Sequence, residues 1–184
     1  MLNRKSLIVA GLAISLAACG GKEVKPQAAA VDLNNGDMYE VHHEGRLYVF
    51  DDFDTYQSFL EVGETSYRQT FIGAGPKGET LVFGVTGKDK KKTADKIAAY
   101  NLYHGSLEAA EEFYGEMRAE GRIYVFDRLE DMETVRTTGE APLRYTEIGN
   151  GPKGETVVYV LRSENKKQKP VALQAAFKKH NGLM

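Results

Sequence analysis

EGRLYVFD at residues 44–51 and EGRIYVFD at residues 120–127 decide the fold, because they are one stretch met twice. GPKGET at residues 75–80 returns in the same way at residues 151–156. Both recurrences lie 76 residues apart, the difference between Gly45 and Gly121 and between Gly78 and Gly154. Aligned without a gap, residues 44–83 match residues 120–159 at 20 of 40 positions, which marks an internal duplication. The likeness continues more weakly, with Asp89-Lys90-Lys91 facing Asn165-Lys166-Lys167 and Ala98-Ala99-Tyr100 facing Ala175-Ala176-Phe177 after a one-residue shift. The chain therefore reads as repeat unit 1 over residues 37–108 and repeat unit 2 over residues 109–184. Each unit is small for an independent core, so the two are expected to pack against each other about a pseudo-twofold axis.

Local patterns give the element order of a unit. Residues 39–50 carry β-rich runs on both sides of Glu44-Gly45, which predicts a hairpin. Tyr56, Phe59 and Leu60 follow at helical spacing, with Asp51, Asp52 or Asp54 as N-cap and Gly63 as stop. Residues 67–72 and 80–85 predict a second hairpin around the Gly75-Pro76-Lys77-Gly78 loop. A lysine-rich link then leads to a helix over residues 93–103 with Gly105 after it. Unit 2 closes alike, with Pro170 expected at the first helical position and Gly182 past the last turn. The expected class is α+β, a duplicated ββαββα unit of antiparallel hairpins and short helices, the two units packed pseudo-symmetrically.

The near balance of 24 basic and 26 acidic residues argues against a nucleic-acid binder. One cysteine excludes an internal disulfide and a cysteine metal cluster. Its position is more telling than its number. Arg4 and Lys5 precede an apolar run of 12 residues, Leu7 to Ala18, which as a helix is about 18 Å long. That is too short to span a bilayer and fits the core of a signal peptide. Leu16-Ala17-Ala18-Cys19-Gly20 closely resembles the lipobox of bacterial lipoproteins. The resemblance implies cleavage before Cys19, a diacylglycerol thioether on its sulfur and acylation, such as palmitoylation, of its new amine. Gly20 at the next position implies sorting to the outer membrane, facing the periplasm, with the periplasmic side of the inner membrane as the alternative. Residues 1–18 are then the signal and residues 19–36, small and polar, a flexible tether. Losing Arg4 and Lys5 takes the formal net charge from −2 to −4.

Chemistry-bearing motifs are few. The Gly-Pro-Lys-Gly loop lacks the ending of a phosphate-binding P-loop and precedes a strand, so it reads as a hairpin turn. Lys77 and Lys153 nevertheless recur in both copies, which makes them candidate partner-contact residues. His42 and His43 are adjacent on a strand and point to opposite faces, so they do not share a metal. His104 and His180 correspond, each near a helix end where a cation is favoured. Asp51 and Asp127 recur at strand-to-helix junctions and read as N-caps. No nucleophile elbow, triad or zincin motif occurs. No catalytic residue, metal ligand or cofactor is therefore expected.

Tyr39, the Glu44-Gly45-Arg46-Leu47-Tyr48-Val49-Phe50 stretch, Tyr56 and Phe59 together resemble the YHS family, whose hairpin precedes a short helix bearing a phenylalanine. The likeness covers about 20 residues of unit 1 and is weaker in unit 2, where Val135 stands for Phe59. The family's metal-binding cysteines are replaced here, starting with Asp51 and Asp127, so the resemblance implies a fold element and no metal site. The expectation is a lipid-anchored, periplasm-facing lipoprotein serving as a non-catalytic binding or accessory module for a cell-envelope protein partner. The alternative is a small-molecule or metal-ion binder using the groove between the two units.

Overall fold

The computed structural model describes residues 33–183; the signal, Cys19 and the tether up to residue 32 lie outside the described residues. The elements are β1 (Asp37–His43), β2 (Arg46–Phe50), α1 (Phe53–Val62), β3 (Arg68–Phe71), β4 (Thr80–Gly84), α2 (Ala98–Tyr103), β5 (Tyr114–Ala119), β6 (Arg122–Phe126), α3 (Leu129–Thr138), β7 (Arg144–Glu147), β8 (Thr156–Val160) and α4 (Val171–His180). Four of them, β2, α1, β3 and β4, recur 76 residues later with identical bounds as β6, α3, β7 and β8. The two Glu-Gly pairs are the hairpin turns. Glu44 and Gly45 take φ of 49° and 71°, and Glu120 and Gly121 take 53° and 72°. Positive φ at both central positions is a type I′ turn, whose twist matches that of a two-residue hairpin.

All eight strands form one sheet in the order β3-β4-β2-β1-β5-β6-β8-β7. The expected hairpins pair antiparallel, but β2·β4, β6·β8 and the central β1·β5 pair parallel. The class is α+β, and the sheet is mixed where an antiparallel one was expected. The physical reason is that α1 and α3 lie between the second and third strands of each half. A helical connection is long enough for a later strand to join in parallel. The halves do not face each other as two separately built blocks; they continue one sheet across the β1·β5 seam.

The strand directions fix the ends of the sheet. β1, β3, β5 and β7 run one way and the other four run back. Both hairpin turns and both Gly-Pro-Lys-Gly loops therefore lie at one end. The chain enters β1 at Asp37 at the opposite end.

Alternation along the strands divides the core in two. One face buries Leu47, Val49, Leu81, Phe83 and Met117 under α2 (Ala99, Leu102) and α3 (Met132, Val135). The other buries Tyr48, Phe50, Val82, Ile123 and Val125 under α1 (Tyr56, Phe59) and α4 (Leu173, Phe177). We call these the first and second face. Residues 76 positions apart fall on opposite faces: Tyr48 and Phe50 on the second, Tyr124 and Phe126 on the first. Each fully buried Phe or Leu contributes about 1.5–3 kcal/mol.

Several caps differ from expectation. Asp52, and not Asp51, caps α1, its carboxylate accepting from the Thr55 N–H at 2.8 Å. Asp51 instead accepts from the Ala99 N–H at 2.8 Å in the first turn of α2. Asp127 binds Arg162, and α3 starts without a side-chain cap. The helix expected over residues 93–103 is a 3-10 turn (Ala94–Lys96) followed by α2, broken at Ile97, whose extended φ and ψ of −108° and 126° bury its side chain. Pro170 immediately precedes α4 and does not form its first residue. Gly63 and Gly139 end α1 and α3 in the left-handed conformation, as Gly63 was expected to do.

Candidate functional site

At the turn end, each Gly-Pro-Lys-Gly loop is a β-turn closed by Gly78 N–H to Gly75 C=O, and by Gly154 N–H to Gly151 C=O, at 2.9 Å each. A glutamate folds back over each turn. One Glu79 oxygen accepts the Lys77 N–H at 2.8 Å, and one Glu155 oxygen accepts the Lys153 N–H at 2.7 Å. A Cβ on Gly75 would meet the Glu79 carboxyl carbon at 2.5 Å, so a side chain there would push the carboxylate off the turn. Ile72 and Ile148, just before these turns, are 90% and 86% exposed.

On the second face, the loop of residues 148–155 is locked to the sheet. Arg118 of β5 donates from Nη1 to Glu155 Oε1 at 2.7 Å and from Nε to the Tyr56 hydroxyl at 2.7 Å. The Tyr56 hydroxyl in turn donates to Glu116 Oε2 at 2.8 Å. Glu116, wholly buried, accepts on Oε1 from Tyr114 at 2.6 Å and from Asn181 at 2.7 Å. Burial first, and then the Glu116 charge, push the Tyr56 hydroxyl well above its usual pKa, so it stays a donor. Burial favours a protonated Glu155, but the Glu155 and Lys153 N–H groups and Arg118 outweigh it and hold the carboxyl below the usual range. Lys153 completes the lock by donating to the Leu60 carbonyl in the last turn of α1 at 3.3 Å.

The first face carries the corresponding residues with different partners. Glu40, corresponding to Glu116, is wholly buried and accepts on Oε1 from Arg136 Nε at 2.8 Å and Nη2 at 2.5 Å. The Arg136 guanidinium lies over the Tyr103 ring, 4.2 Å from its centroid. Burial, only partly offset by the nearby Arg136, pushes the Tyr103 hydroxyl up to about 12. His42 stands where the second face has Arg118, and Met132 where it has Tyr56. Two buried carboxylate oxygens, Glu40 Oε2 and Glu79 Oε1, have no hydrogen-bond partner among the described residues. The same face holds a cavity of about 120 Å³ whose wall includes His42, Lys77, Met117, Ala119, Tyr124 and Arg136. It opens beside a shallow depression lined by His42, Arg46, Lys77 and Glu79.

The candidates from sequence fall as follows. Lys77 and Lys153 share one end of the sheet, but Lys77 borders the first face and Lys153 the second, where its ammonium meets Leu60. His42 and His43 do point to opposite faces, His43 packing edge-on to Phe59 at 5.7 Å. His180 stacks on Tyr114 at 4.0 Å and hydrogen-bonds the Ala176 carbonyl. His104 is not a favoured cation: burial and then Arg136 lower its pKa. The small cavity just described is walled by residues of both units; a larger groove of about 540 Å³ is lined mainly by unit 2 and the link before it, and is rimmed by Glu108, Glu111, Asp127, Glu130 and Glu133. Among the described residues, no three His, Cys, Asp or Glu side chains group to hold a metal ion. No described helix is long and apolar enough to cross a membrane. Sequence reading missed Glu40, Glu116, Arg118 and Arg136. Glu40 and Glu116 had left a signal, recurring at the same spacing inside strands with apolar neighbours. Comparison with protein families, with curated proteins and with solved structures finds no match to this chain.

Proposed function

We propose that this protein is a lipid-anchored lipoprotein of the bacterial cell envelope, held through Cys19 and facing the periplasm, and that it acts as a non-catalytic accessory module for an envelope protein partner. The observation that carries this reading is the polarity of the sheet. The chain enters at Asp37, and both turns, both Lys loops and the exposed Ile72 and Ile148 lie at the far end. Asn34, Asn35 and Gly36 are hydrogen-bonded to the domain, so the tether is the 14 residues from Gly20 to Leu33, with a root-mean-square reach of about 21 Å if flexible. An anchored domain would thus hold its entry end towards the lipid and offer the turn end outward. Anchoring also confines the search for a membrane-bound partner to two dimensions and raises the effective concentration.

We further propose that the two halves are duplicated copies related by a twofold axis along the strands. The identical element bounds and the exchange of faces between equivalent residues support this, since such an axis keeps β1 and β5 parallel and turns the sheet over.

In-cell crosslinking of the natural protein against Cys19→Ser tests the anchor, and Ile72→Ser/Ile148→Ser with Lys77→Ala/Lys153→Ala tests the surface. Partners should be lost with Cys19→Ser and reduced with the turn-end variant. Identical partners for all forms would refute the reading.

A further inference from the structure

We propose that the domain carries two equivalent docking sites for an extended acidic segment of polypeptide, one on each face of the sheet, with Arg122 and Arg144 at the first-face site and Arg46 and Arg68 at the second. The inference rests on the duplication and the protein partner proposed above, and not on the lipid anchor. It starts from the edge strands. β3 and β7, each with the residue that follows, read Arg68-Gln69-Thr70-Phe71-Ile72 and Arg144-Tyr145-Thr146-Glu147-Ile148. Arg, Thr and Ile are the same in both, and all six are exposed. The residues between them, half-buried in both strands, are the ones that differ. α1 and α3 also differ at all ten positions, although both pack on the core. Packing alone would keep the half-buried positions and let the exposed ones drift, so the opposite pattern marks a surface with a constraint of its own.

On the first face these side chains border a depression of about 430 Å³ whose wall includes Arg122, Tyr124, Arg144, Thr146, Ile148 and Thr156. The strand register builds it. Arg122 of β6 lies beside Thr156 of β8, Tyr124 beside Val158, Val158 beside Thr146 of β7, and Val160 beside Arg144. The same rows recur on the second face, with Arg46 beside Thr80, Tyr48 beside Val82, Val82 beside Thr70, and Gly84 beside Arg68. Each edge arginine is also held alike. Arg144 Nη1 donates to the Ala141 carbonyl at 2.8 Å, and Arg68 Nη1 to the Thr65 carbonyl at 3.4 Å. Tyr48, Val82, Tyr124 and Val158 belong to the core, so packing accounts for them; it does not account for four exposed arginines.

Charge selects an anion. None of the four arginines stands within ion-pair distance of a carboxylate among the described residues. Glu140 is the one acidic residue on the wall of the depression, which is therefore net positive in a chain of formal charge −2. Spacing selects an extended ligand. Arg122 and Arg144 stand two strands and four residues apart, about 16 Å between Cα atoms, and carboxylates on residues i and i+4 of an extended segment lie about 13 Å apart. Two such carboxylates can each take one guanidinium fork. Thr156 and Thr146 lie along the way, with hydroxyls able to hydrogen-bond the backbone of the segment, and Ile148, 86% exposed, adds an apolar contact.

The test is NMR titration of the purified full chain with a capped pentapeptide carrying glutamate at its first and fifth residues. Its glutamine counterpart is the uncharged control, and inorganic phosphate is the small oxyanion. We expect saturable binding at two sites per chain, with shifts on β2, β3 and β4 and separately on β6, β7 and β8, and no response to the control. Arg144→Gln should weaken the first-face site about tenfold or more and leave the other untouched, and Arg68→Gln should do the reverse. Both arginines are exposed, so the urea midpoint of each variant should stay near that of the natural protein. Absence of saturable peptide binding, a response on one face only, or binding unchanged in both variants would overturn the proposal. So would a phosphate response equal to that of the peptide, which would make these sites for small oxyanions. In-cell crosslinking is a separate readout: partners lost there in the turn-end variant, with no peptide bound here, would keep the protein partner and reject the acidic segment.

Discussion

Arg136→Met should be among the most damaging single substitutions in this protein, although Arg136 lies in a helix whose sequence, LEDMETVRTT, looks solvent-facing. Its guanidinium is 7% exposed and the Glu40 carboxylate it holds is 0% exposed. Both hydrogen bonds of the pair converge on Glu40 Oε1, and Oε2 already lacks a donor. Burial acts to discharge Arg136, but the Glu40 charge, its hydrogen bonds and the nearby Tyr103 and Glu133 together outweigh it and keep the guanidinium pKa above its usual value. Removing the arginine leaves a carboxylate buried with neither a counter-charge nor a donor, which costs about 3–5 kcal/mol. Glu40→Leu alone leaves a buried guanidinium without its counter-charge and should cost a similar amount. The double variant Glu40→Leu/Arg136→Met removes both charges and should recover to within about 1 kcal/mol of the natural protein, or exceed it. Urea unfolding of the four proteins, followed by far-UV circular dichroism, gives the double-mutant cycle. A cost below about 1 kcal/mol for Arg136→Met, or a double variant no better than the worse single one, would refute this account of the pair.

Gly84→Ala should lose about 1–3 kcal/mol, read as a lower urea midpoint, because its Cβ would stand 2.2 Å from the Phe50 ring. Asp51→Ala should cost about 1 kcal/mol through the lost cap on Ala99, whereas Asp51→Asn keeps an acceptor. Burial raises the Asp51 pKa in the fold, so its contribution is full at acid pH and is lost as pH rises through the folded pKa. Asp51→Asn should therefore compare better with the natural protein at pH 7 than at pH 4, by urea unfolding at both. Glu155 has the opposite sign. Its folded pKa is depressed, so its stabilisation is present above the ordinary 4.5 and is lost as pH falls through the folded value. Glu155→Gln should flatten that acid limb, and an unchanged pH profile would contradict the Arg118 lock.

Much of the architecture was legible because local chemistry dictated it. Glu44-Gly45 and Glu120-Gly121 could hardly be anything but tight turns, and Gly63 stops its helix as expected. The parallel pairings were not legible, since the same alternation serves β4 whether it joins β2 in parallel or β3 alone. Nor was the break at Ile97, where a buried extended residue and a cap from Asp51, 48 residues away, override helical spacing. The candidate site was hidden for a related reason. Arg118, Arg136 and Glu40 look like ordinary strand and helix charges until the faces are assigned, and only then does the difference between Arg118 and His42 acquire chemical meaning.

The place where the chain enters the sheet also has a mechanical consequence. β1 is the fourth of eight strands and is bonded on both sides, to β2 over five residue pairs and to β5 over five more. A pull on the N-terminal segment loads both ladders along their length, so their rungs share the strain and must yield together instead of peeling one by one. The entry strand is thus the part of the domain best placed to bear tension, and forced rupture from that end is governed by the unfolding rate and not by equilibrium stability.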